Sequence, residues 1–221
     1  DCDFEKMLPV TLKSSFSNQG EICLCGSRIF IEKPLYEKFK TAFVEATEKL
    51  KVGDPQSADV DLGAIVSEEH MDKILSYIEL AKEEGGSILA GGNRVSLSGE
   101  QEKGWYLEPT IIEGLGHECR TNQEEIFGPV VTLIPFDSEE EVIEMANSTK
   151  YGLSSTIWTK DLNTAHRVAE NLHVGIAWIN CWLLRDLRTP FGGTKSSGVG
   201  REGGFEALHF FTEPKNVCIK Y

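Results

Sequence analysis

A cysteine three residues after a glycine, in Asn18-Gln19-Gly20-Glu21-Ile22-Cys23, offers a thiol that a tight turn can present to solvent. A thiol attacks a carbonyl carbon as its thiolate, so such a site needs help from nearby positive potential or free backbone N–H groups. Gly20 permits the sharp bend, and the turn is expected to deliver Cys23 to the start of a short helical turn, where the dipole is positive. Taken alone, a free cysteine packs more often as a small hydrophobe, and that reading stands for Cys25, two residues on. Glu125-Ile126-Phe127-Gly128-Pro129 brings a carboxylate able to accept from a pair of sugar hydroxyls and an aromatic ring able to face a flat heterocycle. The plainer reading is a surface acid at a strand start beside a core phenylalanine. Six glycines fall between Gly192 and Gly204, in a run that follows Asn180 and includes Pro190-Phe191-Gly192-Gly193 and Ser197-Gly198. Their spacing is not that of a phosphate-binding P-loop, and no strand immediately precedes them. The plain alternative is an irregular surface loop, although long loops in compact domains are often functional.

The elements that must hold these residues alternate. Phe4 to Phe16 has apolar residues at helical spacing, with Pro9 placed in a first turn. Arg28 to Ile31 is a short strand, Pro34 opens a helix, and Ser67 caps another that ends at Gly85-Gly86. Ser87 to Ala90 and Trp105 to Ile112 are extended. From Val130 to Asn180 the order is strand, helix capped by Ser138, strand, helix, strand, which implies crossover connections and a mostly parallel sheet. Asn216 to Tyr221 reads as a terminal strand with an exposed edge, of the kind a partner subunit covers.

With 221 residues, 40% of them hydrophobic, the chain can bury a full core. Its net charge of −13 argues against nucleic acid as a partner, and no apolar run is long enough to span a membrane. The N-terminus lacks the basic start and apolar run of a signal peptide. Six scattered cysteines without metal-type spacing fit free thiols in a reducing cytoplasm.

Cys23 in its Asn-Gln-Gly setting, Glu125-Ile126-Phe127-Gly128-Pro129 and Pro190-Phe191-Gly192-Gly193 with Ser197-Gly198 together resemble the aldehyde dehydrogenase superfamily, along the whole chain. The resemblance implies an α/β fold: a mostly parallel open sheet with flanking helices, as a catalytic domain over residues 1–204. A tail over 205–221 would carry an oligomerisation strand. It implies Cys23 as the nucleophile, forming a thiohemiacetal and then a thioester, with its own N–H as half of an oxyanion hole. It implies NAD as cofactor, with Glu125 on the nicotinamide ribose and Phe127 on the ring, and Phe191 as a pocket wall. The family's general-base glutamate, in a Glu-Leu-Gly-Gly type motif, does not occur among these residues. That motif, the second oxyanion donor and the NAD-binding domain, with its choice of NAD over NADP, are expected upstream of Asp1.

Arg185-Asp186-Leu187-Arg188-Thr189-Pro190 resembles the branch that oxidises muconate semialdehydes in aromatic catabolism, as do Arg201-Glu202-Gly203-Gly204 and Asn216-Val217-Cys218. An arginine fork suits the far carboxylate of such a substrate, with Arg185 the first candidate and Arg188 the second. The plain alternative is an exposed Arg185 paired with Asp186. The substrate would be 2-aminomuconate or 2-hydroxymuconate 6-semialdehyde, the Asn180-Cys181-Trp182-Leu183 run leaning toward the amino form. A cationic betaine-type aldehyde is disfavoured by Arg185. The implied assembly is a homo-oligomer, dimer or tetramer. The competing hypothesis is a truncated, non-catalytic homologue that serves as an assembly module.

Overall fold

A computed structural model describes residues 1–221. Local caps start most of the helices. Asp3 accepts from the Lys6 amide to begin α1 (Phe4–Phe16). The helix begins there rather than at Pro9, which sits in its second turn. After β1 (Arg28–Glu32), Pro34 lies in the first turn of α2 (Lys33–Thr47). The Ser67 hydroxyl accepts from His70 N at 3.2 Å to cap α3 (Glu68–Glu83).

The next extended pieces are β2 (Ser87–Ala90) and β3 (Arg94–Val95). The expected extended stretch from Trp105 is split into β4 (Tyr106–Leu107) and β5 (Thr110–Glu113), with Pro109, which has no N–H for a ladder, between them. A one-turn helix α4 (Arg120–Gln123) leads to β6 (Val130–Phe136). Ser138 then caps α5 (Glu139–Asn147), whose first turn carries three glutamates that suit the positive helix end. After β7 (Tyr151–Gly152) and β8 (Ser154–Ile157), Asp161 caps α6 (Leu162–Asn171), which returns to β9 (Ile176–Ile179). The chain ends through β10 (Thr194–Lys195) and α7 (Gly204–Phe211).

The main sheet has the order β1-β6-β5-β2, with β6 parallel to both neighbours and β2 antiparallel at the edge. Five consecutive residues of β6, Val130 to Ile134, are buried, as expected for a strand covered on both faces. Successive side chains alternate between the faces. Ile112 and Val130 join Met71, Ile74 and Ile78 of α3 on one face. Ile111, Val131 and Leu133 join Phe16 of α1 and Phe39 and Phe43 of α2 on the other. The layers are therefore helix, sheet, helix, and both α1 and α3 end or begin at the rim where the loops gather.

One expectation is corrected. The alternation from Val130 to Asn180 yields one parallel crossover pair, β8–α6–β9, but these strands form their own ribbon and do not pair with β6. Asn216 to Tyr221 pairs with no strand of this chain, in keeping with an edge that only a second subunit could cover. The stretch before it folds as α7, whose Phe205, Phe210 and Phe211 are exposed. No helix is long and apolar enough to cross a membrane.

Candidate active site

The cysteine loop leaves α1 at buried Phe16 and winds through a 3-10 turn, Ser17–Gly20. Asn18, Gln19 and Gly20 are all left-handed, at φ 51°, 55° and 71°. A glutamine rarely adopts that conformation, and long-range bonds hold it there. The Gln19 amide donates to Ala64 O at 3.1 Å and accepts from Gly63 N at 3.0 Å. A Cβ on Gly20 would collide with the carbonyl of Gly128, so glycine is required where the cysteine loop crosses the Phe127 loop. Glu21 accepts from Val66 N at 3.2 Å through its carboxylate.

Residues Ile22 to Cys25 then form a turn closed by Cys25 N donating to Ile22 O at 2.9 Å. This corrects the expected helix start. The segment after Cys23 runs as turn and loop into β1, so the thiol does not sit at the start of a helix of its own. Cys23 is exposed at the turn, and its N–H donates to no backbone acceptor, which leaves it free for a developing oxyanion. Cys25 is half-buried, with its sulfur 3.8 Å from Ser17 O. Burial, with a smaller push from Cys23, raises its thiol to about 11, against the pull of the Ile22 backbone bond. All six cysteines are unpaired.

In the second loop, Glu124 and Glu125 have different surroundings. Arg120 donates to both oxygens of Glu124 at 2.9 and 3.0 Å, and the Tyr77 hydroxyl donates at 2.6 Å. The Arg120 bonds lead in pulling the Glu124 carboxyl down to about 2. Glu125 is exposed with no side-chain partner, while its carbonyl accepts from Lys73 Nζ at 3.0 Å. Phe127 is half-buried and left-handed at φ 61°, an outlier for so bulky a residue. Its carbonyl accepts from His70 Nε2 at 2.6 Å.

The third loop follows β9. The Asn180 amide donates to Thr159 O at 2.8 Å and accepts from Thr159 N at 3.1 Å, fixing another left-handed residue. The Trp182 indole reaches across to Leu24 O at 3.0 Å, and Trp178 donates to Leu184 O at 3.0 Å. Asp186 is taken by Arg188, whose Nε donates at 2.9 Å. Arg185 has no carboxylate partner, and its guanidinium lies 4.1 Å from the centre of the Phe191 ring. Phe191 in turn is bonded through its backbone to Glu202, with N–H···O distances of 2.7 and 2.6 Å. Arg185 and Phe191, with Trp178, Leu184, Thr189 and Glu202, line a cleft of about 110 Å³. Cys23 and Arg188 are not in its lining.

The structure thus joins Gly20 to the Phe127 loop and Leu24 to the Arg185 loop, on either side of Cys23. Gln19 ties the cysteine loop to residues 63–64, His70 holds the Phe127 carbonyl and Trp182 reaches Leu24; the sequence motifs contain Gln19 and Trp182 without marking these bonds, and His70 lies in none of them. Their partners are 45, 57 and 158 positions away, so no local pattern marks them.

A family model described as the aldehyde dehydrogenase family matches residues 1–217. The 2-aminomuconic 6-semialdehyde dehydrogenase of Pseudomonas sp. is 50% identical over 220 residues, covering 100% of this chain and 45% of the relative. The 2-hydroxymuconic semialdehyde dehydrogenase of Pseudomonas putida is 44% identical over 220 residues, again covering 100% of this chain and 45% of the relative. The chain therefore spans about half the length of the curated relatives it matches. Among solved structures, betaine aldehyde dehydrogenase from Staphylococcus aureus in complex with NAD+ superposes with a TM-score of 0.92 at 39% identity, covering 96% of this chain and 42% of that one.

Proposed function

Because the chain belongs to the aldehyde dehydrogenase family, we propose that it carries the nucleophile and the substrate-recognition loop of an NAD-dependent enzyme that oxidises a carboxylate-bearing semialdehyde. The substrate in this reading is 2-aminomuconate or 2-hydroxymuconate 6-semialdehyde. Identity of 50% to the amino enzyme against 44% to the hydroxy enzyme supports the amino form. The observation that carries the reading is Arg185, a guanidinium placed over the Phe191 ring and free of any carboxylate in the chain. An arginine held over an aromatic ring with no hydrogen-bond partner keeps its donors available for a bidentate carboxylate. Arg188, already bonded to Asp186, is the second candidate. A quaternary ammonium substrate, as the name of the S. aureus neighbour implies for that protein, would meet like charge at Arg185.

Cys23 is the nucleophile in this reading. Its thiolate forms a C–S bond to the aldehyde carbon, and the resulting oxyanion lies within reach of the free Cys23 N–H. After oxidation the acyl group is a thioester on Cys23, and water releases the acid and returns the thiol. The residues present fit a nicotinamide nucleotide: Glu125 offers an exposed, unpaired carboxylate for hydroxyls, and Phe127 offers a ring held in a strained conformation. NAD, when bound, supplies the two-electron acceptor. The dinucleotide fold, the general base and the second oxyanion donor belong in this reading to the rest of the protein. Residues 1–204 form the catalytic domain, and residues 205–221 a tail for assembly into a dimer or tetramer.

The test supplies NAD and each semialdehyde to the native protein and to its Cys23→Ala and Arg185→Ala variants. Turnover abolished by Cys23→Ala and weakened mainly through KM by Arg185→Ala is the expected result. Turnover indifferent to Arg185→Ala moves the substrate to an aldehyde without a carboxylate. The second reading, a non-catalytic assembly module, draws on the exposed Phe205, Phe210 and Phe211 of α7 and on Val217 and Ile219 beyond it. A native protein that assembles but shows no Cys23-dependent turnover would favour it.

A further inference from the structure

Resting on the reading of Phe127 as the ring that faces the nicotinamide, we propose that His70 is the positioning residue for that ring, with Glu21 tying the same contact to the cysteine loop. A phenylalanine at φ 61° has no side-chain hydrogen bond with which to stabilise the left-handed backbone, so its surroundings must hold it. The hold on its carbonyl comes from His70. A carbonyl only accepts, so the 2.6 Å contact fixes the proton on Nε2. The imidazole also meets the Phe127 ring edge-on, with centroids 6.2 Å apart.

His70 is itself well placed to act as a fixed point. It lies in the first turn of α3, its amide is bonded to the Ser67 cap, and its side chain is only 17% exposed. Glu21, with a side chain 8% exposed, brings Oε1 to 3.6 Å from the same Nε2. Its carboxylate is anchored by Val66 N just before α3. One imidazole nitrogen therefore faces both the residue two before Cys23 and the carbonyl of Phe127. Lys73, one turn further along α3, holds the carbonyl of Glu125. Together they peg the whole 125–127 loop to a single helix, and the Gly20–Gly128 crossing closes the other side.

The test uses hydrogen exchange in the native protein without cofactor. His70→Leu is expected to raise deuterium uptake in the peptide spanning residues 124–130. His70→Gln, which keeps an N–H donor at similar reach, is expected to return it to the wild-type level. NADH titration of the same variants should show about tenfold weaker binding for His70→Leu and a change of no more than about twofold for His70→Gln. Uptake unchanged in His70→Leu, or raised equally in both variants, overturns the proposal. Native protein that binds no NADH overturns the cofactor reading instead, and the exchange pattern still decides whether His70 holds Phe127. Glu21→Gln, which leaves both loops unbroken in composition, should raise uptake in residues 124–130 less than His70→Leu does. The reverse order would make Glu21 rather than His70 the anchor.

Discussion

The indole nitrogen of Trp182 donates to the carbonyl of Leu24 at 3.0 Å, joining residues 158 positions apart. Leu24 lies between the exposed Cys23 and the half-buried Cys25, and Trp182 precedes Arg185 by three residues. A single bond thus sets the cysteine turn against the loop that carries the free guanidinium. Trp182→Phe keeps an aromatic ring but removes the donor together with part of the indole's packing surface. Losing one such bond costs about 1 kcal/mol, more if the Leu24 carbonyl stays dry. A urea titration should show that loss. The rate of Cys23 alkylation should change more than that of the distant Cys218, because the turn presenting Cys23 is no longer tied down.

The two cysteines of the turn should separate in a labelling experiment. With its thiol raised to about 11, Cys25 is thiolate in only roughly one molecule in a thousand at pH 8. Iodoacetamide followed by peptide mass spectrometry should therefore find Cys23 alkylated well before Cys25. Labelling of Cys25 should climb about tenfold per pH unit toward pH 11. Equal labelling at pH 8 would mean that the turn opens and exposes both sulfurs.

What the sequence made legible was local. Ser67, Ser138 and Asp161 each cap a helix through an amide three residues on, so a short window contains both partners. The buried run of β6 is likewise read from its own composition. The turn around Cys23 was misread because its shape is set from outside: Gln19 is held by Ala64, and Gly20 is squeezed by Gly128. The tail is the opposite case. Alternating Val217 and Ile219 suit a strand, but a strand requires a partner that this chain alone does not supply, and both remain exposed. Arg185 could be flagged by type alone. That Asp186 pairs with Arg188 and not with Arg185 depends on how the loop turns at Thr189, which bonds back to Asp186 O.

The Gly20–Gly128 crossing predicts a severe cost for the smallest substitution. Gly20→Ala adds a methyl group into the Gly128 carbonyl and places a side chain at φ 71°. The left-handed strain alone is about 1–2 kcal/mol, and the collision adds to it by moving one loop. Thermal unfolding should fall by more than a cap deletion such as Ser138→Ala produces. A Gly20→Ala protein of native stability would mean that the two loops can part without loss.

The acid limb of stability should carry the signature of Glu124. Its carboxyl is pulled from an ordinary 4.5 down to about 2, chiefly by the Arg120 bonds and then by Tyr77. A depressed folded-state value means that the unfolded chain binds the proton more readily. The contribution is therefore complete above about pH 4.5 and is lost as pH falls toward 2. Glu124→Gln should be less stable than wild type at pH 7, with the gap in urea midpoint narrowing through that window. A gap that stays constant down to pH 2 would assign the effect to packing instead of to charge.

Arg185 allows the sharpest separation of charge from geometry. Its guanidinium lies over Phe191, 4.1 Å from the ring centre, and its N–H donors have no partner in the chain, which leaves them for a planar carboxylate. Arg185→Lys keeps the positive charge but has neither the planar stack nor the fork. If the fork matters, lysine should recover only part of the loss seen in Arg185→Ala. A charge-assisted bidentate contact is worth about 1.5–3 kcal/mol, so KM for a muconate semialdehyde should rise about 10- to 100-fold in Arg185→Ala. An uncharged aldehyde should be affected little by either variant. Phe191→Leu removes the stacking face and leaves the charge, and should fall between wild type and Arg185→Ala on the semialdehyde. Should Arg185→Lys match wild type, bulk charge near the cleft would be sufficient, and Arg188 could share the role once Asp186 released it.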